Sequence, residues 1–272
     1  MKRKLNLLPV LILFFGLIFA SCQMDGGTSF EPPVETPVDP STLQYFTLSI
    51  PTAQEEATVM LNYLKQIPWF DSMGYRITLP NTPLVNSAIS KLRAGGTLTS
   101  AEEAALRTHF IQDVYDVQDY QPSFNTIARA ALEADQQIPS LRTYQSSWGF
   151  FIPNKYTIQL TYYGPGGSYN PSTGLIIMKV DRENYWNPPR PLSIILHEAV
   201  HIGIENNIIQ RNNIPQWTKE RIVDHFMILQ FGLSGYRLQS TSPEYPIDII
   251  FNQPDVLDHL PSRVEEFMRQ HR

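Results

Sequence analysis

The chain has 272 residues, with 26 acidic and 21 basic side chains and a formal charge of −5 at pH 7. That acidic balance argues against nucleic acid as a partner. A single cysteine excludes a disulfide framework and leaves any metal site to His, Asp and Glu.

Met1-Lys2-Arg3-Lys4 is basic, Leu5 to Ala20 is almost purely apolar, and Phe19-Ala20-Ser21-Cys22 sets small residues before the cysteine. A charged start, a short apolar core and a small-residue cleavage site read as a secretory signal. With Cys22 directly after that site, the segment resembles a bacterial lipoprotein signal, although Phe19 stands where Leu is more usual. The resemblance implies removal of residues 1–21, lipidation of Cys22, and a place in the bacterial cell envelope at the outer membrane or cell surface. An uncleaved anchor is the alternative, because about 16 apolar residues approach the length that spans a bilayer. Cleavage removes three basic side chains and no acidic ones, taking the formal charge from −5 to −8. Residues 22–43 then form the lipidated cysteine and a tether rich in Pro, Gly, Thr and acids, whose composition buries no core.

From residue 44 to 272 the pattern is that of one domain. Leu43 to Ile50 alternates as a strand, and Thr52 to Ile67 has apolar residues at helical spacing behind Pro51. Tyr75 to Leu79 reads as a second strand, and Pro83 to Arg93 as a helix stopped by Gly95-Gly96. Thr99-Ser-Ala-Glu-Glu103 carries the cap and early acids of a helix that runs to about Asp116. Another helix covers Ser123 to Asp135. Tyr156 to Tyr163 and Gly174 to Val180 read as strands separated by turn chemistry at Gly164-Pro-Gly-Gly-Ser168. Helices follow around residue 197, from about Gln216 to Phe231, and near Leu260 to Gln270. The fold class is α+β: a mostly helical part over 44–140, then a small mixed sheet and further helices over 141–272.

Within Pro191 to Ile209 (PLSIILHEAVHIGIENNII) an apolar run is broken by His197, Glu198 and His201. His197-Glu-Ala-Val-His201 is HExxH, and on a helix the two imidazoles lie one turn apart on one face, where both reach one metal ion. Zinc suits them, and a catalytic zinc keeps three protein ligands plus water. Glu198 is placed to take a proton from that water. Glu205 shares the histidines' face but sits about 12 Å along the axis from His197, so it cannot complete the site from one straight helix. A helix ending near Asn206-Asn207 and restarting beside Pro215 gives legs of roughly 7–8 Å on either side. An antiparallel return then sets Glu220 level with the histidines, and Asp224 one turn further, where it can accept the spare N–H of a ligating His. Asp224 and His225 remain alternatives for third ligand.

HExxH followed about nineteen residues later by ExxxD resembles the gluzincin branch of zinc metallopeptidases, over His197 to about Phe231. The resemblance implies a zincin-like fold with His197, His201 and Glu220 as zinc ligands, Glu198 as general base, and Asp224 as the partner of His197. It further implies an antiparallel edge strand that binds extended peptide substrates, for which Gly174 to Val180 is the segment available. A Tyr or His that stabilises the oxyanion is also implied; Tyr236 is the first choice, with His225 and His259 as rivals. Lys219-Glu220-Arg221 departs from the small or acidic neighbours usual beside the ligand Glu. The metzincin branch does not fit, since no histidine follows Gly203 at the required distance. The function expected is zinc-dependent cleavage of peptide or protein substrates. A hydrolase of non-peptide substrates and a non-enzymatic surface lipoprotein are the alternatives.

Overall fold

The computed structural model describes residues 38–180, 190–234, 236–238 and 246–271. The expected signal, the lipidation site Cys22 and most of the tether lie outside them. The tether ends sooner than expected: Pro40–Thr42 form a 3₁₀ turn capped by the Asp39 carboxylate, and Leu43 is already buried.

Strand β1 is Phe46–Ser49. Helix α1 (Ala53–Lys65) begins at a capping box in which the Thr52 hydroxyl accepts from the Glu55 N–H and the Glu55 carboxylate accepts from the Thr52 N–H. These two bonds satisfy donors a helix start would otherwise leave unpaired. Helix α2 (Ile67–Met73) stops at Gly74, whose φ of 75° is the left-handed conformation glycine adopts without strain. The strand expected over Tyr75 to Leu79 is only a single bridge, between Thr78 and Gly164. Pro80 follows at once and has no N–H to extend a ladder.

Helix α3 (Pro83–Arg93) starts with the Thr82 side chain and Pro83 in its first turn. Helix α4 (Ser100–His109) repeats the capping box with Thr99 and Glu102, then widens into a π turn at Phe110–Val114. Helix α5 is Gln121–Gln137. Helix α6 (Arg142–Trp148) was not expected; none of its residues is fully buried, and its apolar face is the pair Tyr144 and Trp148, which pack on Phe226 and Phe150.

The remaining elements are β2 (Tyr156–Thr161), β3 (Gly167–Asn170), β4 (Leu175–Lys179), α7 (Arg190–Ile204), α8 (Gln216–Phe231) and α9 (Leu260–Gln270). The sheet is mixed and runs β1-β2-β4-β3: the first three strands are parallel, and β3 pairs antiparallel with β4. An antiparallel edge strand is therefore present but is not the expected one. Gly174 to Val180 corresponds to β4, which has neighbours on both sides. The edge is β3, formed partly from residues read as turn chemistry.

Helix α7 packs on α5, β3, β4 and α8. Ile195, Leu196, Ala199, Val200, Ile202 and Ile204 are all buried, each worth up to about 1.5–3 kcal/mol for the larger side chains. Gly203 has a packing reason: a Cβ there would lie 2.0 Å from the Phe150 ring. That ring stacks on Phe226 of α8 at 5.6 Å, so it ties α7, α8 and the segment before β2 together. No helix among the described residues is long and apolar enough to cross a membrane.

Candidate metal centre

The histidines stand on α7, one turn apart. The helix does not end at Asn206-Asn207 as expected; it passes into a π turn, Glu205–Gln210, and the left-handed residue that closes the segment is Asn213 at φ 52°. The Asn207 amide instead donates to the Gly149 carbonyl at 2.5 Å. Helix α8 then starts directly after Pro215. His201 meets Glu220 at 3.1 Å, whereas His197, one turn back, comes within 3.8 Å of Asp224, one turn forward. Stepping backward along α7 matches stepping forward along α8, so the two helices are antiparallel at the site.

His197 Nε2, His201 Nε2 and Glu220 Oε2 form a triangle with sides of 3.0, 3.1 and 3.3 Å. A tetrahedral metal with bonds of about 2.0–2.1 Å to nitrogen and oxygen holds its ligands about 3.3 Å apart. The three groups are all buried, and they could hold a metal ion. Among the described residues no fourth His, Cys, Asp or Glu joins them. His197, His201 and Glu220 keep 6, 2 and 7% exposure, Glu198 beside them 6%, and Asp224 behind them 0%.

The electrostatics fit a cation. Burial pulls the His201 imidazole down to about 4 despite Glu220, leaving it neutral at physiological pH, the form that binds metal. Burial also pushes against a charged His197, but Glu220, Glu198 and Asp224 outweigh it and hold the pKa above its usual value. Burial raises Glu220 as well, yet the two imidazoles more than reverse this and keep its carboxyl well below the usual range. An ion inside the triangle would take over the positive charge these carboxylates favour. His201 Nδ1 is buried with no hydrogen-bond partner, so nothing competes for that ring's orientation except the cluster and the stacked Tyr169.

Behind His197, the Tyr236 hydroxyl stands 2.8 Å from Nδ1 and donates to Asp224 Oδ1 at 2.6 Å. Asp224 Oδ1 itself lies 3.8 Å from His197 Nδ1, and the Tyr236 hydroxyl bridges the two. The expected oxyanion donor Tyr236 places its hydroxyl at Nδ1 of His197, while the triangle uses Nε2 of the same ring. The rivals are placed elsewhere too. His225 Nε2 is 2.9 Å from Asp248, which also takes a bidentate pair from the buried Arg221, and His259 is exposed ahead of α9.

Glu198 accepts no hydrogen bond from a described residue, and burial pushes its carboxyl up to about 7 against the pull of His197. Its Oε1 lies where a Cβ on Gly167 of β3 would be, only 2.2 Å away. The edge strand can pass this close only because residue 167 has no side chain.

Sequence reasoning missed three neighbours. Tyr75, read as a strand residue, receives a hydrogen bond from Gln216 Nε2 at 3.0 Å; the same nitrogen donates to Glu220 Oε1 at 2.6 Å. Burial, then Glu220, and more weakly Glu198, raise the Tyr75 phenol to about 12. Its ring is sandwiched between Trp69 and Trp217 at 5.7 and 5.0 Å. Tyr169 of β3 lies flat on His201 at 4.7 Å and donates to Glu205 at 2.6 Å. Glu205 therefore acts on the site through a tyrosine and not as a ligand. The one local signal available was the spacing of Gln216 and Glu220, four apart on a helix.

Comparison with models of protein families, with curated proteins and with solved structures finds no match for this chain. The likeness to gluzincins thus rests on local spacing alone. What stands on geometry is a buried His197-His201-Glu220 cluster suited to a metal, with a carboxylic acid beside it and an edge strand running past.

Proposed function

We propose that the chain is a zinc-dependent hydrolase of gluzincin type, a peptidase carried on the cell envelope by lipid at Cys22. The observation that carries the reading is the triangle of two imidazole nitrogens and one carboxylate oxygen, with Glu198 adjacent and no fourth ligand among the described residues. Two imidazole nitrogens and one carboxylate oxygen suit zinc, and three protein ligands with a remaining open position is the catalytic arrangement, not the structural one. Bound there, zinc supplies a Lewis acid that lowers the pKa of water to about 7 and polarises a carbonyl.

The chain's own residues do the rest. The Glu198 carboxylate takes the proton from the attacking water and hands it to the departing amine. A pKa near the working pH serves both transfers. Tyr236 and Asp224 hold the His197 ring in place from behind. The Tyr75 hydroxyl accepts from the Gln216 amide that also donates to Glu220, so its own proton is not used there, and we assign it as the donor for the developing oxyanion. The outer edge of β3 pairs with no described strand and can add an extended peptide beside Glu198.

The test compares wild type with Glu198→Gln on a peptide library, with zinc content measured for both. Cleavage by wild type and zinc without cleavage in the variant support the reading. Equal cleavage by both defeats it.

A further inference from the structure

We propose that Lys219 selects substrates bearing a carboxylate within about three residues of the bond that is cleaved. The inference rests on the peptidase reading of the same site and names its substrate class.

Lys219 directly precedes the ligand Glu220 on α8. Its ammonium donates to the Tyr169 hydroxyl at 3.1 Å and lies 5.3 Å from the centre of that ring. The ring in turn lies flat on His201, 4.7 Å away with an interplanar angle of 9°. The charge is therefore no more than about 10 Å from a metal ligand, the reach of about three extended residues at roughly 3.3 Å each.

The bonding around Tyr169 leaves this cation available. The phenol spends its proton on Glu205, so its oxygen accepts from Lys219 and fixes the direction of the ammonium. An ammonium carries three donors, and only one is used here. Among the described residues no carboxylate lies within ion-pair distance of Lys219, whereas Lys65, Lys91, Arg93, Arg211 and Arg221 each have one. A partly buried positive charge without an anion is costly, and a carboxylate arriving with the substrate removes that cost through charge-assisted hydrogen bonds. A purely structural lysine would have been expected to pair with Glu205 directly; here Tyr169 stands between them.

The test uses the zinc-loaded protein, with Lys219→Met and Lys219→Glu beside wild type. A peptide library in which each sequence is present with a free and an amidated C-terminus separates a terminal carboxylate from an acidic side chain. Wild type should favour one of these by about tenfold or more, Lys219→Met should lose the preference, and Lys219→Glu should turn it toward Lys and Arg. Binding without turnover is read by calorimetry on two matched hydroxamates, one with a carboxylate and one with the corresponding amide. Wild type should bind the carboxylate form about tenfold more tightly and Lys219→Met should bind both alike. The same ratio in wild type and Lys219→Met overturns the assignment, whether or not peptides are cleaved. Discrimination between the hydroxamates with no peptide cleaved upholds Lys219 and removes the peptidase reading instead.

Discussion

Replacing Gly167 with alanine probes the base without touching it. The new Cβ would fall 2.2 Å from Glu198 Oε1 and 3.1 Å from Ile194 Cγ2. The second contact needs a shift of only tenths of an ångström. The first needs the carboxylate to retreat by about 1 Å to reach ordinary contact, and it can do so because it is the end of a flexible chain held by no hydrogen bond among the described residues. The fold should therefore survive while the base moves. A misplacement of about 1 Å costs on the order of 100-fold in rate, about 2.7 kcal/mol. Losing the base outright costs about 10²–10⁴-fold, which sets the upper limit. The neighbouring Gly166 is an internal control, since a Cβ there meets nothing within 4 Å. The assay is kcat on the best library peptide, with zinc content and thermal midpoint measured in parallel. Gly167→Ala should keep its zinc and lose about 100-fold in kcat, while Gly166→Ala should match wild type. Wild-type kcat in Gly167→Ala, alongside an inactive Glu198→Gln, would refute the placement of the base against β3.

Tyr236→Phe removes the hydroxyl shared by His197 and Asp224 and should weaken zinc binding by about 10–100-fold in a competition titration; unchanged affinity with a fall in kcat alone would instead assign Tyr236 to the reacting carbonyl. Gly203→Ala drives a methyl into the Phe150 ring. Overpacking costs typically about 1–3 kcal/mol, so the melting temperature should fall by roughly 2–12 °C, and an unchanged melting curve would contradict the packing described. Glu56 is fully buried on α1, accepting from Tyr120, Thr161 and the Tyr162 N–H, with Oε2 unpartnered; burial raises its pKa above 4.5 in spite of those bonds. The folded state then holds a proton that the unfolded chain releases, so this group's contribution to stability falls as pH rises from about 4.5 toward its folded value. Urea midpoints across that window should decline more steeply for wild type than for Glu56→Gln, which keeps an oxygen for the three donors; parallel curves would show that Glu56 is ionised throughout.

The parts of the site that could be read from the chain are those set by the helix repeat. His197 and His201 at i and i+4 had to share a face, and the antiparallel return that brings Glu220 to them was foreseeable, although the first leg runs on through a π turn to Gln210 and is longer than the second. The cap at Thr99 was legible for the same reason, since its partner Glu102 lies three residues on; the box at Thr52 has the same spacing but was read only as the start of an apolar period. What could not be read depends on contacts between distant segments. Gly167 looks like turn chemistry until Glu198 is seen against it, so the true edge strand was missed and β4 was taken in its place. Tyr75 and Tyr169 reach the site from an isolated bridge region and a four-residue strand, neither with a periodic signature. The direction of the Tyr236 hydroxyl depends on how the chain leaves α8, which no spacing rule gives. Asn206-Asn207 offered a plausible helix stop, but Asn207 finds a better partner in the Gly149 carbonyl.

X-ray absorption at the zinc edge, with metal content measured on the same purified full chain, tests the central claim most directly. One zinc per chain is expected, with a shell of two imidazole nitrogens and oxygen ligands at about 2.0–2.1 Å, and with loss of metal in Glu220→Ala. A chain that takes up no zinc, or a bound metal whose shell contains fewer than two imidazoles, would contradict it.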